Sequence, residues 1–126
     1  MKMLLAVALG GALGAVARYK TIGWMSHLAG HGFPWGTLVV NVVGCFLMGV
    51  LVELGALKLN LSIELRAFLA VGVLGALTTF STFSLDVVVL WERGAIWPTA
   101  VYVAASVALS ILALFVGLWS VRSVLV

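Results

Sequence analysis

The sequence predicts an all-α integral membrane protein with four transmembrane helices and no soluble domain. Three observations predict this class: 64% of the 126 residues are hydrophobic, only 9% are charged, and the mean hydropathy is +1.28. Soluble domains are about 45–50% apolar and about 25% charged. A chain this short has too little interior to hide the excess apolar surface from water. Most of its surface is therefore expected to meet lipid.

Four apolar runs of the required length make the chain one transmembrane domain, residues 1–126. A helix needs about 20 mostly apolar residues to cross the hydrocarbon layer. The predicted spans are 3–27, 33–53, 64–91 and 95–122. Five tryptophans fall near span ends, where indole rings settle at the membrane–water interface. They are Trp24, Trp35, Trp91, Trp97 and Trp119.

The first span carries small residues at every fourth position, Ala6, Gly10 and Gly14, and Arg18 follows them. This spacing predicts a face that packs closely against another helix. Arg18 either snorkels to the interface or, on an internal face, draws anions toward a vestibule. The run after Lys2 also has the look of a secretory signal peptide. The three further spans favour a membrane helix.

The second span contains a polar residue near its centre, Asn41, with Thr37 one turn earlier on the same face. Polar groups at bilayer depth cost free energy unless they find partners. An asparagine amide supplies two donors and one carbonyl acceptor. Asn41 is therefore either a clasp between helices or a donor in a polar pathway.

The third span has a hydroxyl-rich second half, residues 78–84, which reads Thr-Thr-Phe-Ser-Thr-Phe-Ser. At 100° per residue no face of this segment is purely apolar, so it must pack inside protein or line a cavity. Gly75 followed by hydroxyl residues predicts a helix that is broken in the middle of the membrane. The alternative is a kinked, packed helix in which Phe80 and Phe83 only fill space.

The fourth span places Thr99, Tyr102, Ser106 and Ser110 along one face. Four polar residues in a row predict a hydroxyl rail beside a polar pathway. The alternative is that each hydroxyl bonds to a backbone carbonyl one turn earlier in its own helix.

The number and positions of the cysteine and charged residues argue against several functional classes. One cysteine, Cys45, excludes an intrachain disulfide and a cysteine-based metal cluster. The seven Lys and Arg residues form no cluster, which excludes nucleic acid as a main partner. Glu53, Glu64 and Glu92 lie at span ends, and Asp86 lies near the end of the third apolar run. The lack of a mid-span acid counts against a proton-coupled pump.

Lys and Arg residues are divided almost equally between the two sides of the membrane. With the N-terminus inside, the inner side holds Lys2, Lys58, Arg66 and Arg122, and the outer side holds Arg18, Lys20 and Arg93. The Lys and Arg bias normally fixes the orientation of a membrane protein. The balance is either chance in a small count or a sign that copies insert both ways and pair as an antiparallel homodimer.

Three motifs along the chain carry a family resemblance. They are Gly10-Gly11-x-x-Gly14-Ala15-x-x-Arg18-Tyr19, Gly36-Thr37-Leu38-x-x-Asn41-x-x-Gly44-Cys45-Phe46 and Thr78-Thr79-Phe80-Ser81-Thr82-Phe83-Ser84. With them the sequence resembles the Fluc/CrcB fluoride channel family nearly end to end, and the third motif is the most specific. Ala76 departs from the family pattern, which often has a second glycine after Gly75.

The resemblance implies a fluoride-selective channel, not an enzyme, that exports cytoplasmic fluoride passively across the bacterial inner membrane. It also implies an antiparallel, dual-topology homodimer with two pores and a structural sodium ion (Na⁺) on the two-fold axis. The backbone carbonyls of Gly75 and Thr78 would hold that sodium.

By the same resemblance, Asn41 donates to fluoride, and Phe80 and Phe83 line the pores. Fluoride is strongly hydrated, so neutral amide and hydroxyl donors must replace its water, and electropositive ring edges can meet it. The predicted fluoride pathway is Thr37, Asn41, Phe80, Ser81, Thr82, Phe83, Tyr102, Ser106 and Ser110, with Arg18 at the vestibule.

Two other functions compete with this interpretation. A small dual-topology multidrug or cation transporter has the same size, but the glutamate expected in its first span is missing. A structural subunit of a larger membrane complex would not explain the asparagine, phenylalanine and hydroxyl residues. The predicted partners are therefore fluoride, sodium, a second copy of the chain and the lipid bilayer.

Overall fold

The computed structural model describes all 126 residues, which form helices joined by short turns and no strand. We number the helices as follows: α1 is Lys2–Ala29, α2 is Trp35–Leu57, α3 is residues 63–77, α4 is Phe80–Glu92 and α5 is Ile96–Leu125. With α3 and α4 taken as one run, Ile63–Glu92, four helices are long and apolar enough to cross a membrane. The prediction of an all-helical membrane protein with four such helices is confirmed.

α3 is not a regular helix. It starts with the turn Ile63–Arg66, continues as a π-helix over Ala67–Leu74, and closes with the turn Gly75–Leu77. The wider turn is seen where the Gly75 N–H bonds back to the Ala70 carbonyl. The sequence analysis did not predict this geometry, and π-helical turns are rare and concentrate at functional sites.

Two extended residues separate α3 from α4. Thr78 has φ −79° and ψ 153°, and Thr79 has φ −153° and ψ 119°, so neither continues the helix. The chain therefore ends one helix at Leu77 and begins another at Phe80. The depth of this interruption in the bilayer stays a prediction.

Glycines let helix backbones approach closely where α1 crosses α3 and where α2 crosses α5. Where α1 crosses α3, a Cβ on Gly10 would overlap the Phe68 carbonyl oxygen, and one on Gly14 would overlap the Val73 carbonyl oxygen. Where α2 crosses α5, a Cβ on Gly49 would overlap the Leu114 carbonyl oxygen. Such close backbone approach drives helix association in lipid, where burial from water contributes little.

The interior of a single chain is small, since only 19 of 126 residues are buried. The buried core cluster consists of Leu38 on α2, Phe83 and Leu90 on α4, and Tyr102 on α5. All helices that span the membrane leave large apolar side chains exposed, as a chain solvated by lipid should. The core therefore lies between α2, α4 and α5.

One ion pair links two helix ends. Arg122 near the end of α5 donates from Nε to Glu53 Oε1 at 2.9 Å and from Nη2 to Glu53 Oε2 at 3.1 Å. Glu53 is only 6% exposed, so this two-pronged contact also satisfies a buried carboxylate on α2. It fixes the C-terminal ends of α2 and α5 to each other.

Candidate functional site

A cavity of about 440 Å³ lies where α2, the α3–α4 interruption and α5 meet. It is lined by Asn41, Cys45, Gly75, Thr78, Thr79, Phe80, Phe83, Ser106, Val107, Ser110 and Ile111. The site therefore brings together residues from the second, third and fourth predicted spans.

Asn41 holds the interruption in place. Its Nδ2 donates to the Thr79 carbonyl oxygen at 3.1 Å, and its Oδ1 accepts from the Thr79 N–H at 2.7 Å. The side-chain amide thus supplies the donor and the acceptor that a helix would have supplied to Thr79. Since the amide has two N–H groups, one is left for a ligand in the cavity.

Gly44 makes room for the same interruption. It lies one turn after Asn41 on α2, and a Cβ there would overlap the Thr78 methyl Cγ2. Asn41 and Gly44 together form a seat for Thr78 and Thr79 on α2. This explains why the break occurs at these two residues and not elsewhere in the hydroxyl-rich segment.

Thr79 also caps α4. Its Oγ1 accepts from the Thr82 N–H at 3.1 Å, as an N-cap side chain does. The Thr82 hydroxyl lies 3.1 Å from the same Oγ1, and the Ser81 hydroxyl lies 3.3 Å from it. Ser81 and Thr82 were predicted as pathway residues, yet they do not line the cavity. They bond instead to the residue that starts α4.

Ser106 and Ser110 carry buried hydroxyl oxygens that have no hydrogen-bond partner. The expected alternative, a bond to the carbonyl one turn earlier, holds for Thr99, whose Oγ1 donates to the Ala95 oxygen at 2.6 Å. It is wrong for the two serines. A buried polar group without a partner is costly, so two on one wall of a cavity indicate a polar ligand there.

Aromatic rings continue from the cavity into the core. The centroids of Phe80 and Phe83 are 5.4 Å apart, and those of Phe83 and Tyr102 are 5.3 Å apart. Tyr102 also meets Phe33 edge-on, at 5.4 Å and 83°. Phe83 is 8% exposed, whereas Phe80 is 77% exposed and projects away from its own chain. The two predicted pore phenylalanines are therefore not equivalent within one chain.

Two other predicted pathway residues, and the predicted vestibule residue, lie outside the cavity. Tyr102 is fully buried and donates its hydroxyl to Asp86 Oδ2 at 2.9 Å, and Thr37 is 2% exposed. Arg18 lies on α1 and forms no ion pair, since the one ion pair in the chain joins Glu53 and Arg122. Tyr102 and Thr37 belong to the buried layer beside the cavity, and Arg18 lies apart from it.

The sequence analysis missed the roles of Thr79 and Asp86. Thr79 could have been found as a cap, because threonine is one of the residues preferred at the N-cap position before a helix. Asp86 lies two turns into α4, three residues after Phe83, and so faces the same neighbour, Tyr102. Its carboxylate is the one acid bonded beside the aromatic rings.

Carbonyl oxygens collect where α3 ends. The Leu74 carbonyl accepts from the Thr78 N–H at 3.1 Å and from the Thr78 hydroxyl at 3.0 Å. The carbonyls of residues 75–78 accept no hydrogen bond. The N–H groups that follow them bond elsewhere: Thr78 N–H to Leu74, Thr79 N–H to the Asn41 side chain, and Thr82 N–H to the Thr79 hydroxyl. Free carbonyls at the end of a helix need a partner, and hard cations favour such oxygens.

The chain is similar to known proteins over nearly its whole length. Residues 5–118 match the sequence profile of the family described as CrcB-like protein, Camphor Resistance (CrcB). That range contains every residue that lines the cavity.

Several relatives bear the name fluoride-specific ion channel FluC. The protein from Chelativorans sp. (strain BNC1) is 58% identical over 125 residues, which cover 99% of this chain and 100% of the relative. The protein from Rhodospirillum centenum is 59% identical over 123 residues, 98% of each chain. The protein from Agrobacterium fabrum is 60% identical over 112 residues, 89% of this chain and 90% of the relative.

Proposed function

Because the chain belongs to the CrcB family, we propose that it is a fluoride-selective ion channel and not an enzyme. It is a multi-pass membrane protein, and in bacteria this family places it in the inner membrane. Fluoride would leave the cytoplasm through it passively. The observation that carries the proposal is the pair of buried serine hydroxyls, Ser106 and Ser110, that have no hydrogen-bond partner and belong to residues lining the cavity.

The donors around the cavity suit a small anion. Ser106 and Ser110 each offer an O–H, and Asn41 offers its second N–H. No Lys or Arg lines the cavity, so an anion would be coordinated without being trapped by a full positive charge. The N-terminal end of α4, which begins at Phe80, adds a partial positive charge at the same place.

Aromatic edges supply the selectivity in this proposal. The edge of a phenyl ring is electropositive, so Phe83 and Phe80 attract an anion that lies in the ring plane and repel cations there. The Tyr102 hydroxyl donates to Asp86, so it is not a free donor for an anion. In this proposal Tyr102 instead holds Phe83 in position through the contact between their rings. Thr37 lies buried in the same layer, and Ser81 and Thr82 act through the cap on α4. Arg18 would attract anions at a distance, outside the cavity.

We further propose that a second copy, inserted in the opposite direction, completes the site. Three apolar side chains that line the cavity are exposed in one chain, in addition to Gly75: Phe80 at 77%, Val107 at 48% and Ile111 at 55%. A polar cavity walled by exposed apolar residues would be open to lipid, which is unfavourable for its hydroxyl groups. The balanced Lys and Arg count supports an antiparallel pair. Thiol labelling of loop cysteines from both sides of the membrane would test it.

The free carbonyls at the end of α3 fit the proposed structural sodium ion. Gly75 is exposed and Thr78 is half-buried, so both can face a second copy, and both offer unbonded oxygens. A bound sodium would add positive charge next to the anion pathway. We expect that replacing sodium by a large organic cation lowers dimer stability and fluoride flux. Unchanged stability and flux would remove sodium from the proposal.

The proposed function is tested by ion efflux from liposomes that contain the purified protein. Liposomes loaded with potassium fluoride or potassium chloride are diluted into anion-free buffer, and valinomycin is added to balance the charge. We expect rapid fluoride efflux and no chloride efflux above that of empty liposomes. Equal efflux of both anions, or cation exchange driven by a proton gradient, would contradict the proposal.

A further inference from the structure

A second cavity lies near the C-terminal end of α2, away from the proposed fluoride site. Its volume is about 300 Å³, and it runs between the last turns of α2 and the first turns of α3. The apolar side chains that line it are Leu51, Val52, Ala56, Leu61 and Ala70. Gly55 and Arg66 complete the lining. We call this cavity the Arg66 groove.

Arg66 has no acidic partner, unlike the arginine at the neighbouring helix end. Glu53 is held by both prongs of Arg122, and this is the only ion pair in the chain. Arg66 instead lies over Gly55, where a Cβ would come within 3.8 Å of its Nη2. A side chain larger than glycine at position 55 would therefore extend into the space beside the guanidinium. The groove thus pairs an uncompensated guanidinium with apolar walls.

The groove lies at the edge of the membrane-crossing segments. α2 ends at Leu57 and the next crossing segment starts at Ile63, so Arg66 is one turn inside that segment. The apolar side chains around this end, Leu57, Leu59, Ile63 and Leu65, are all at least 42% exposed. A guanidinium at this level is expected at the height of lipid headgroups, with the apolar walls below it toward the acyl chains.

We propose that the Arg66 groove binds one anionic phospholipid per chain. The guanidinium would take the phosphate through two parallel N–H donors, the geometry for which arginine is suited. An acyl chain would lie along Leu51, Val52 and Ala56. A zwitterionic lipid brings its own ammonium, and no unpaired carboxylate lines the groove to receive it. Basic pockets between membrane helices recognise anionic headgroups in this way.

The proposal is tested by native mass spectrometry of the purified protein titrated with palmitoyl-oleoyl phosphatidylglycerol or with phosphatidylcholine of the same chains. We expect one tightly held phosphatidylglycerol per chain and binding of phosphatidylcholine that is weaker by about fivefold, the contribution of one basic residue to anionic-lipid attraction. Equal binding of the two lipids by the unaltered protein would overturn the proposal without any variant.

Matched variants separate the groove from general surface charge. Arg66→Gln should abolish the preference for phosphatidylglycerol over phosphatidylcholine. Lys58→Gln, at the same helix end, and Arg93→Gln, in the α4–α5 turn, should keep this preference, since neither residue lines the groove. Gly55→Leu should weaken the binding of both lipids, because the leucine side chain would fill the groove. Gly23→Leu is its control, because nothing lies within 4 Å of a Cβ at Gly23. An equal loss in Lys58→Gln would indicate diffuse attraction and overturn the proposal.

Two further measurements exclude other occupants. Glycerol 3-phosphate should not displace phosphatidylglycerol, because it lacks the acyl chains that the apolar walls would hold, and full displacement would indicate a free-phosphate site. Arg66→Gln should leave the dimer fraction unchanged in pure phosphatidylcholine membranes, and a lower fraction would show that a second copy fills the groove. Either contrary result overturns the proposal. Size-exclusion profiles confirm that each variant is folded. If Arg66→Gln does not fold, Arg66→Lys takes its place: it keeps the charge but loses the two parallel donors, so it should bind phosphatidylglycerol more weakly than the unaltered protein, and unchanged binding would overturn the proposal.

Discussion

Where α1 crosses α3, glycine lies directly on backbone: Gly10 and Gly14 approach the carbonyl oxygens of Phe68 and Val73 so closely that no side chain fits between them. The cavity beside the interruption has the opposite character. There, Ser106 and Ser110 keep hydroxyls without partners, and the carbonyls after Leu74 are free.

The difference shows where this chain fixes its structure and where it leaves polar groups for ligands. The α1–α3 contact holds the π-helix from one side, and Asn41 holds the two extended threonines that follow it. With α3 fixed at both points, its final carbonyls and the start of α4 keep their positions beside the cavity. Polar groups can then stay unpaired there because the surrounding contacts, not their own bonds, determine their position.

The largest loss of stability is expected from a side chain placed in the α1–α3 contact. Gly14→Leu must push α1 away from the Val73 carbonyl, and overpacking of this kind costs about 1–3 kcal/mol. We expect lower thermal stability and loss of fluoride flux together. Gly11→Leu is the matched control, since nothing lies within 4 Å of a Cβ there. Equal thermal stability of the two variants would show that the contact does not fix α3.

The next largest effect is expected at the contact that joins the fixed part to the cavity. Asn41→Asp keeps an acceptor for the Thr79 N–H but leaves the Thr79 carbonyl without its donor, which costs about 1–3 kcal/mol. It also places a negative charge beside the anion. We expect fluoride efflux to fall at least tenfold in folded protein. Asn60→Asp, in the exposed α2–α3 turn, should leave efflux unchanged, and normal efflux in Asn41→Asp would move the pathway elsewhere.

In each of these two regions, one feature could be predicted from the sequence alone. The glycines at every fourth position of the first span predicted close packing, and the structure gives it a partner, α3. The hydroxyl face of the fourth span likewise predicted the positions of Ser106 and Ser110 on the cavity. Both patterns are periodic within one helix, so they need no knowledge of another part of the chain.

Other features depend on contacts between distant residues and could not be read from one span. Asn41 and Thr79 are 38 residues apart, and their reciprocal bonds decide where the third span is interrupted. The Tyr102–Asp86 bond spans 16 residues and removes Tyr102 from the list of free donors. The π-helix lies in close backbone contact with α1, and that contact is between residues about 60 apart in the sequence. Phe80 and Phe83 looked alike in sequence because exposure depends on which helices pack against them.

A smaller loss of stability is expected at the aromatic ring inside the core. Phe83→Ile keeps an apolar side chain of similar size, so it should cost less than about 1.5 kcal/mol. It removes the electropositive edge, so we expect fluoride efflux to fall sharply although the protein remains folded. Phe115→Ile, at an exposed position on α5 that does not line the cavity, is the control. Unchanged efflux in Phe83→Ile would show that the ring only fills space.

The smallest effect on stability, and the clearest separation of the two regions, is expected for the serines. Ser106→Ala removes a hydroxyl that bonds to nothing in the chain, so it should leave the protein as stable as before or slightly more stable. Efflux of fluoride should nevertheless fall severalfold, and further in the double variant with Ser110→Ala, because the anion loses donors that replace its water.

Thr99→Val is the control on the same helix face. The Thr99 hydroxyl is not a free donor, because it already donates to the Ala95 carbonyl. Fluoride efflux should stay near normal in this variant, since it removes a satisfied group outside the cavity. If Ser106→Ala loses stability and keeps its efflux, the serines belong with the glycines as packing residues. If Ser106→Ala instead keeps its stability and loses fluoride efflux, the serine hydroxyls donate to the permeating anion, as proposed.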